Sequence, residues 1–120
     1  MNLPHLPPIR FAKEVFTCND KRASVLCEFP TVPTLPMLTE AAAQASSAFA
    51  KSHTPQNGFL VLIKETALHV KPKSLSFLVE IEARLSLGNA SEFYFEVFEK
   101  EGGVLCASGS LMIVLEERLV

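Results

Sequence analysis

At 120 residues, with 48% hydrophobic and 20% charged side chains, the chain has the composition of a folded domain, far from the polar, charge-rich signature of disorder. A formal net charge of -2, one tyrosine and no tryptophan supply neither a basic stripe to neutralise phosphates nor aromatic platforms for bases, so nucleic acid is excluded as an expected partner. A chain of this length buries roughly two thirds of its unfolded surface, so one domain spanning residues 1–120 is expected.

The opening stretch, Leu3-Pro4-His5-Leu6-Pro7-Pro8, is too rich in proline to serve as the apolar core of a secretory signal. No run approaches the roughly 20 apolar residues that span a bilayer. A cytoplasmic protein with no membrane span is expected. The three cysteines, Cys18, Cys27 and Cys106, have neither metal-ligand spacing nor the pattern of a disulfide framework, and are read as buried thiols.

In chain order, residues 9–15 carry Ile, Phe and Val among charges and predict a strand, broken by turn-forming types at 17–21. Residues 22–29 alternate, with Ala23, Val25, Cys27 and Phe29 on one face, which predicts a half-buried antiparallel partner strand. Pro30, Pro33 and Pro36 then hold the chain extended. A helix is predicted over residues 36–50: it is rich in alanine, free of glycine and interior proline, with Thr34 as N-cap and Pro36 in the first turn. Its apolar face, Leu38, Ala41, Ala42, Ala45, Ala48 and Phe49, is made mostly of small side chains, so another element can approach closely.

Residues 52–58 read as a polar loop. Beyond it come an apolar run at 59–63, an extended piece around Leu68, His69 and Val70, and a turn at Lys71-Pro72-Lys73. Strands at 75–87, 92–99 and 104–115 complete a meander joined at Gly88-Asn89 and Glu101-Gly102-Gly103. In its middle strand, Phe93, Phe95 and Val97 alternate with Glu92, Tyr94, Glu96 and Phe98, leaving one face to solvent. The tail at 116–120 is read as the end of the last strand. One long helix and five to seven strands predict an α+β fold, with the helix buried against a curved antiparallel sheet.

Three stretches in order resemble the hotdog-fold dehydratases that act on (3R)-hydroxyacyl groups carried by acyl carrier protein. Leu3-Pro4-His5-Leu6-Pro7-Pro8 is similar to that family's LPHRxP opening. Phe29-Pro30, Pro33 and Pro36, followed by Glu40-Ala41-Ala42-Ala43-Gln44, resemble the loop entering its central helix and the EAxAQ motif on it. Leu68-His69-Val70-Lys71-Pro72-Lys73 looks like its VxPGD strand and turn. The resemblance implies a hotdog fold, a curved antiparallel sheet wrapped around one long central helix. It also implies a homodimer or higher assembly joined edge to edge, and an acyl thioester on acyl carrier protein or coenzyme A as substrate, as in fatty acid biosynthesis. It implies no cofactor and no metal.

The family eliminates water with a histidine immediately before the Phe-Pro pair and an acid on the partner's central helix. Here the histidine's position holds Glu28, while Glu40 matches the acid. A carboxylate, with an ordinary value of about 4.3 against about 6.5 for imidazole, is the weaker base unless burial raises it. The Glu28 to Glu40 spacing is also two residues shorter than the family's, and Met37 stands where the family has glycine. By the same resemblance, Glu40 and Glu28 are candidate catalytic residues, and Phe29, Pro30, Pro36, Met37 and Gln44 line the candidate substrate site. Glu40 also reads as an ordinary hydrogen-bonded helix glutamate, and Glu28 as a surface residue on a strand.

Gln44, one turn beyond Glu40, is placed to hydrogen-bond near it. His5, His53 and His69 do not replace the missing histidine, and Ser46 and Ser47 lack the His-Asp partners of a serine nucleophile. Two further functions fit the same residues: an acyl thioesterase using Glu40, and a non-catalytic acyl-binding or scaffold subunit paired with an active relative.

Overall fold

The structure, a computed structural model, describes residues 10–49 and 58–115. The expectations at the opening motif with His5, at His53 and the rest of the polar loop through residue 57, and at the 116–120 tail lie outside the described residues. The described residues form six strands and one helix: β1 (Ala12–Cys18), β2 (Arg22–Glu28), α1 (Leu35–Ala45) with a 3-10 turn at Ser46–Phe49, β3 (Gly58–Leu68), β4 (Ser76–Leu87), β5 (Ala90–Glu99) and β6 (Leu105–Leu115). The strands form one antiparallel sheet in the order β1-β2-β4-β5-β6-β3, so β1 and β3 are its edges.

Strand β1 starts and ends later than the sequence suggests, because the turn is made by Asn19. Its side-chain Oδ1 accepts from the Lys21 and Arg22 backbone N–H groups at 2.8 and 2.9 Å, and its own N–H donates to the Arg22 carbonyl. Thr17 and Cys18 therefore pair with Ser24 and Ala23 rather than turning. On β2 the predicted face is correct: Ala23, Val25 and Cys27, with Phe29 just beyond, enter the core. The opposite face is not left open, since Ser24 and Leu26 are also buried. Ser24 Oγ donates to Glu80 Oε2 at 2.6 Å, and Leu26 lies in register with Leu78 and, through β4, with Phe98.

Helix α1 is shorter than predicted. Its regular turns end at Ala45, and residues 46–49 tighten to 3-10 geometry, with Ser46 Oγ bonded to the Ala43 carbonyl at 2.6 Å. At the other end Thr34 has the extended backbone of an N-cap, but its hydroxyl makes no capping bond. The alanine face does what its size allows: Leu38, Ala41, Ala42 and Ala45 are at most 1% exposed. Around that helix the sheet closes, with α1 touching β1, β3, β4, β5 and β6. Facing it are Phe77, Val79, Ile81, Phe93, Phe95, Val97, Leu111 and Ile113, all core residues.

The apolar run at 59–63 and the extended piece at 68 belong to the single strand β3 and are not separate elements. A bulge between Lys64 and Ala67 absorbs the break in pattern, with Glu65 in the left-handed region at φ 54°. Opposite it, Gly109 is required by close approach: an added Cβ would lie 2.6 Å from Thr66 Cγ2 and 3.0 Å from the Phe95 ring. The meander follows its prediction, turning through Gly88 (φ 62°) and through Gly102 and Gly103 (φ 86° and 66°). The convex face of β5 carries paired polar side chains up to the row of Leu26, Leu78 and Phe98: Glu92 meets Lys64 at 3.2 Å, and Arg84 stacks over Tyr94. Among the described residues no helix is long and apolar enough to cross a membrane.

Candidate functional site

Helix α1 places Glu40 in its second turn, half-buried, on the shoulder of the helix beside the apolar face. Four residues on, Gln44 lies on the same side, and its Nε2 donates to Glu40 Oε2 at 3.2 Å. The other end of that amide reaches the sheet edge. Gln44 Oε1 accepts from the backbone N–H of Phe11 at 2.7 Å and of Ala12 at 3.1 Å. These two donors precede the strand ladder or sit at its start, and without the glutamine they would lose these protein acceptors.

Glu28 ends β2 and is exposed. Its backbone N–H donates to the Phe11 carbonyl at 2.9 Å, which fixes the strand end but leaves the side chain directed outward. Phe29, next in sequence, turns into the core, where it lies 4.6 Å from the Phe11 ring and edge-on to Phe77 at 5.5 Å. Its N–H donates to the Leu75 carbonyl. Pro30 and Pro36 are exposed, Pro33 is buried, and Met37 packs half-buried against the core. Of the candidate residues, Glu40 and Gln44 are joined directly. Phe29 acts as the anchor from which the proline loop springs to the helix.

Cys27, the neighbour of Glu28, faces the core, and burial pushes its thiol up to about 12, the charge of Lys13 acting weakly in the other direction. Burial likewise raises the Cys106 thiol, with Glu99 adding to it. Neither is a nucleophile at ordinary pH. Cys18 corrects the reading of three buried thiols: it is exposed at the end of the edge strand, where its Sγ donates to the Ala48 carbonyl at 3.3 Å. Ser46 is consumed by its bond to Ala43, and His69 pairs with Ser108 Oγ at 2.8 Å on the convex side.

A pocket of about 90 Å³ opens between β1 and the helix, lined by Arg10, Ala12, Lys13, Val25, Gln44 and Ala48 among others. Ligand sites for molecules of drug size run to roughly 300 Å³ and above, so this pocket does not hold an acyl chain. Glu40 is not among its lining residues. The link from Gln44 to the β1 backbone was not visible in the sequence. The glutamine four residues after the glutamate marks the helix side of the contact, but nothing marks the edge-strand amides that it serves.

No protein-family model matches the sequence, and no curated protein matches it. Solved structures do match its fold. The dehydratase heterocomplex ApeI:P from Xenorhabdus doucetiae superposes with a TM-score of 0.75 at 16% identity, covering 97% of this chain and 89% of that one. A hypothetical thioesterase with coenzyme A from Streptococcus pneumoniae TIGR4 gives 0.67 at 11% identity, covering 89% and 88%. Zebra fish thioesterase superfamily member 2 gives 0.66 at 13%, covering 86% and 80%. The fold is the hotdog fold, an α+β arrangement of one helix against a six-stranded antiparallel sheet, shared with neighbours of both dehydratase and thioesterase type.

Proposed function

We propose that this chain handles acyl thioesters, carried on acyl carrier protein or coenzyme A, with Glu40 as the reacting carboxylate. The observation that carries the reading is the held position of Glu40 on the sheet-wrapped helix: it is half-buried and bonded by Gln44. The chain is a dehydratase-like hotdog protein in which Glu28 takes the place of the family's histidine. A homodimer or higher assembly brings Glu28 of one copy toward Glu40 of the next. The exposed apolar side chains of edge strand β3, Leu62, Ile63 and Leu68 at 43–45%, support pairing at that edge.

In this arrangement Glu28 removes the proton beside the thioester carbonyl and Glu40 assists departure of the hydroxyl. A second reading is favoured by the exposed side chain of Glu28: Glu40 alone promotes attack of water on the thioester, and the chain is a thioesterase. Offering (3R)-3-hydroxydecanoyl and decanoyl thioesters of both carriers separates the possibilities. Dehydration yields enoyl absorbance from the first substrate only, and hydrolysis releases thiol from both. A non-catalytic acyl-binding subunit does neither, and binds the saturated thioester without turnover.

Glu40→Ala is expected to lower either turnover by about 100-fold, the usual scale of a positioned acid or base. Unchanged turnover in that variant would sink both catalytic readings. Glu28→His is expected to raise dehydration if that reading holds and to leave hydrolysis unaffected.

A further inference from the structure

Where β1 passes the end of α1, the two elements leave a hollow of about 90 Å³. Its interior is apolar. Val25 and Ala45, 2% and 1% exposed, are the most deeply buried of the residues around it, and Ala12 and Ala48 complete the walls. Its mouth is cationic, since Arg10 and Lys13 border it and are both exposed.

A bulge turns Lys13 to this side of the strand. The pairing of β1 with β2 shifts between Ala12, which stands opposite Cys27, and Glu14, which stands opposite Leu26. Lys13 is the extra residue between them, where a bulge re-aims a side chain. Cys27 faces the core, and its thiol feels the lysine: burial raises it, and the Lys13 charge pulls the other way. The ammonium group therefore stands on the concave side of β1. Glu14 also borders the hollow, but it is in register with Leu26 and shares the convex face with it, so the charge that meets the mouth is positive.

An apolar interior under a cationic mouth selects an amphiphile with an anionic head. A water-sized group takes up roughly 30 Å³, so the hollow has room for about three such groups. That is too little for a long acyl chain and matches the three carbons that follow the carboxylate of butyrate. The carboxylate then lies at the mouth, where a guanidinium and an ammonium give charge-assisted hydrogen bonds.

We propose that the hollow between β1 and α1 is a binding site for a short aliphatic carboxylate of about four carbons, its tail against Val25 and Ala45 and its head between Arg10 and Lys13. Glu40 does not border the hollow, so this site is separate from the proposed reacting carboxylate and does not depend on that reading.

Titration of the full chain, labelled with nitrogen-15, with sodium butyrate at pH 7 and ionic strength held constant with chloride tests the assignment. Saturable shifts are expected at the amides of Ala12, Val25, Ala45 and Ala48, with a dissociation constant of about millimolar, the range open to so small a ligand. Butylamine, of the same length and opposite charge, is expected to give none. Lys13→Gln, a change at an exposed position, is expected to weaken butyrate about tenfold. Ala48→Met fills the hollow from its wall and is expected to abolish binding, with a wild-type thermal midpoint showing that the fold is kept. Glu40→Ala is expected to bind butyrate as the wild type does.

The absence of saturable shifts at these amides, butylamine binding as tightly as butyrate, or undiminished affinity in Lys13→Gln overturns the proposal. So does loss of butyrate binding in Glu40→Ala, which would put the ligand at the proposed reacting carboxylate instead.

Discussion

A thiol held away from water titrates late, and for Cys27 this has a measurable sign. Its folded value is pushed from an ordinary 9.0 to about 12 by burial, so between those values the unfolded chain releases a proton that the folded chain keeps. Stability from this residue is complete below pH 9 and is lost as pH rises toward 12. The denaturant midpoint of the wild type is expected to fall across that window more steeply than that of Cys27→Ala, compared by urea titration at each pH. Parallel slopes would mean that the buried thiol is not the cause. At this scale the sequence was informative where polarity alone decides: Phe29 turned inward and Glu28 outward, as the alternation on β2 requires. It was silent where position in the sheet decides. Cys18 sits among apolar residues in the chain and is nonetheless exposed, because the strand that carries it is an edge.

The helix was the most legible element, since its alanine content and the absence of breakers act locally. What local chemistry could not give was its end. Residues 46–49 tighten into a 3-10 turn as Ser46 bonds back to Ala43 and Phe49 stacks on Phe93, with ring centroids 5.5 Å apart. The second contact is long-range, beyond any local signal. The bulge in β3 was hidden for the same reason: Glu65 at φ 54° is set by the ladder with β6, and the side chain missing at Gly109 leaves room for Thr66. The packing of the alanine face yields its own prediction. Ala42 is fully buried, and methyl groups there set how near the strands approach. Ala42→Leu is expected to cost about 1–3 kcal/mol through overpacking, read as a lower urea midpoint with unchanged slope. An unaffected midpoint would show that the sheet can retreat from the helix.

On the scale of the whole molecule, the sheet wraps the helix but ends in two edges, and the β3 edge carries exposed apolar side chains. Ile63 pairs with Leu111 on the concave face, yet is 45% exposed because no strand follows it. If two copies join there, sedimentation gives a species of twice the chain mass, and Ile63→Lys is expected to shift it to the mass of one chain. A wild type that sediments as one chain at all concentrations would remove the shared site. Order along the chain and order across the sheet also diverge. Strands β4 and β5 each pair with the strand that follows them in the chain, whereas β3 follows the helix and lies against β6 at the far edge, Leu68 opposite Ala107. Closing that long loop costs entropy before any contact rewards it. During refolding, the meander is expected to condense first and the strand carrying the proposed seam to arrive later. Until it does, β6 presents an unpaired ladder to any other nascent chain. The side of the sheet on which two finished copies are proposed to meet is then also the side on which premature encounters would lead to aggregation.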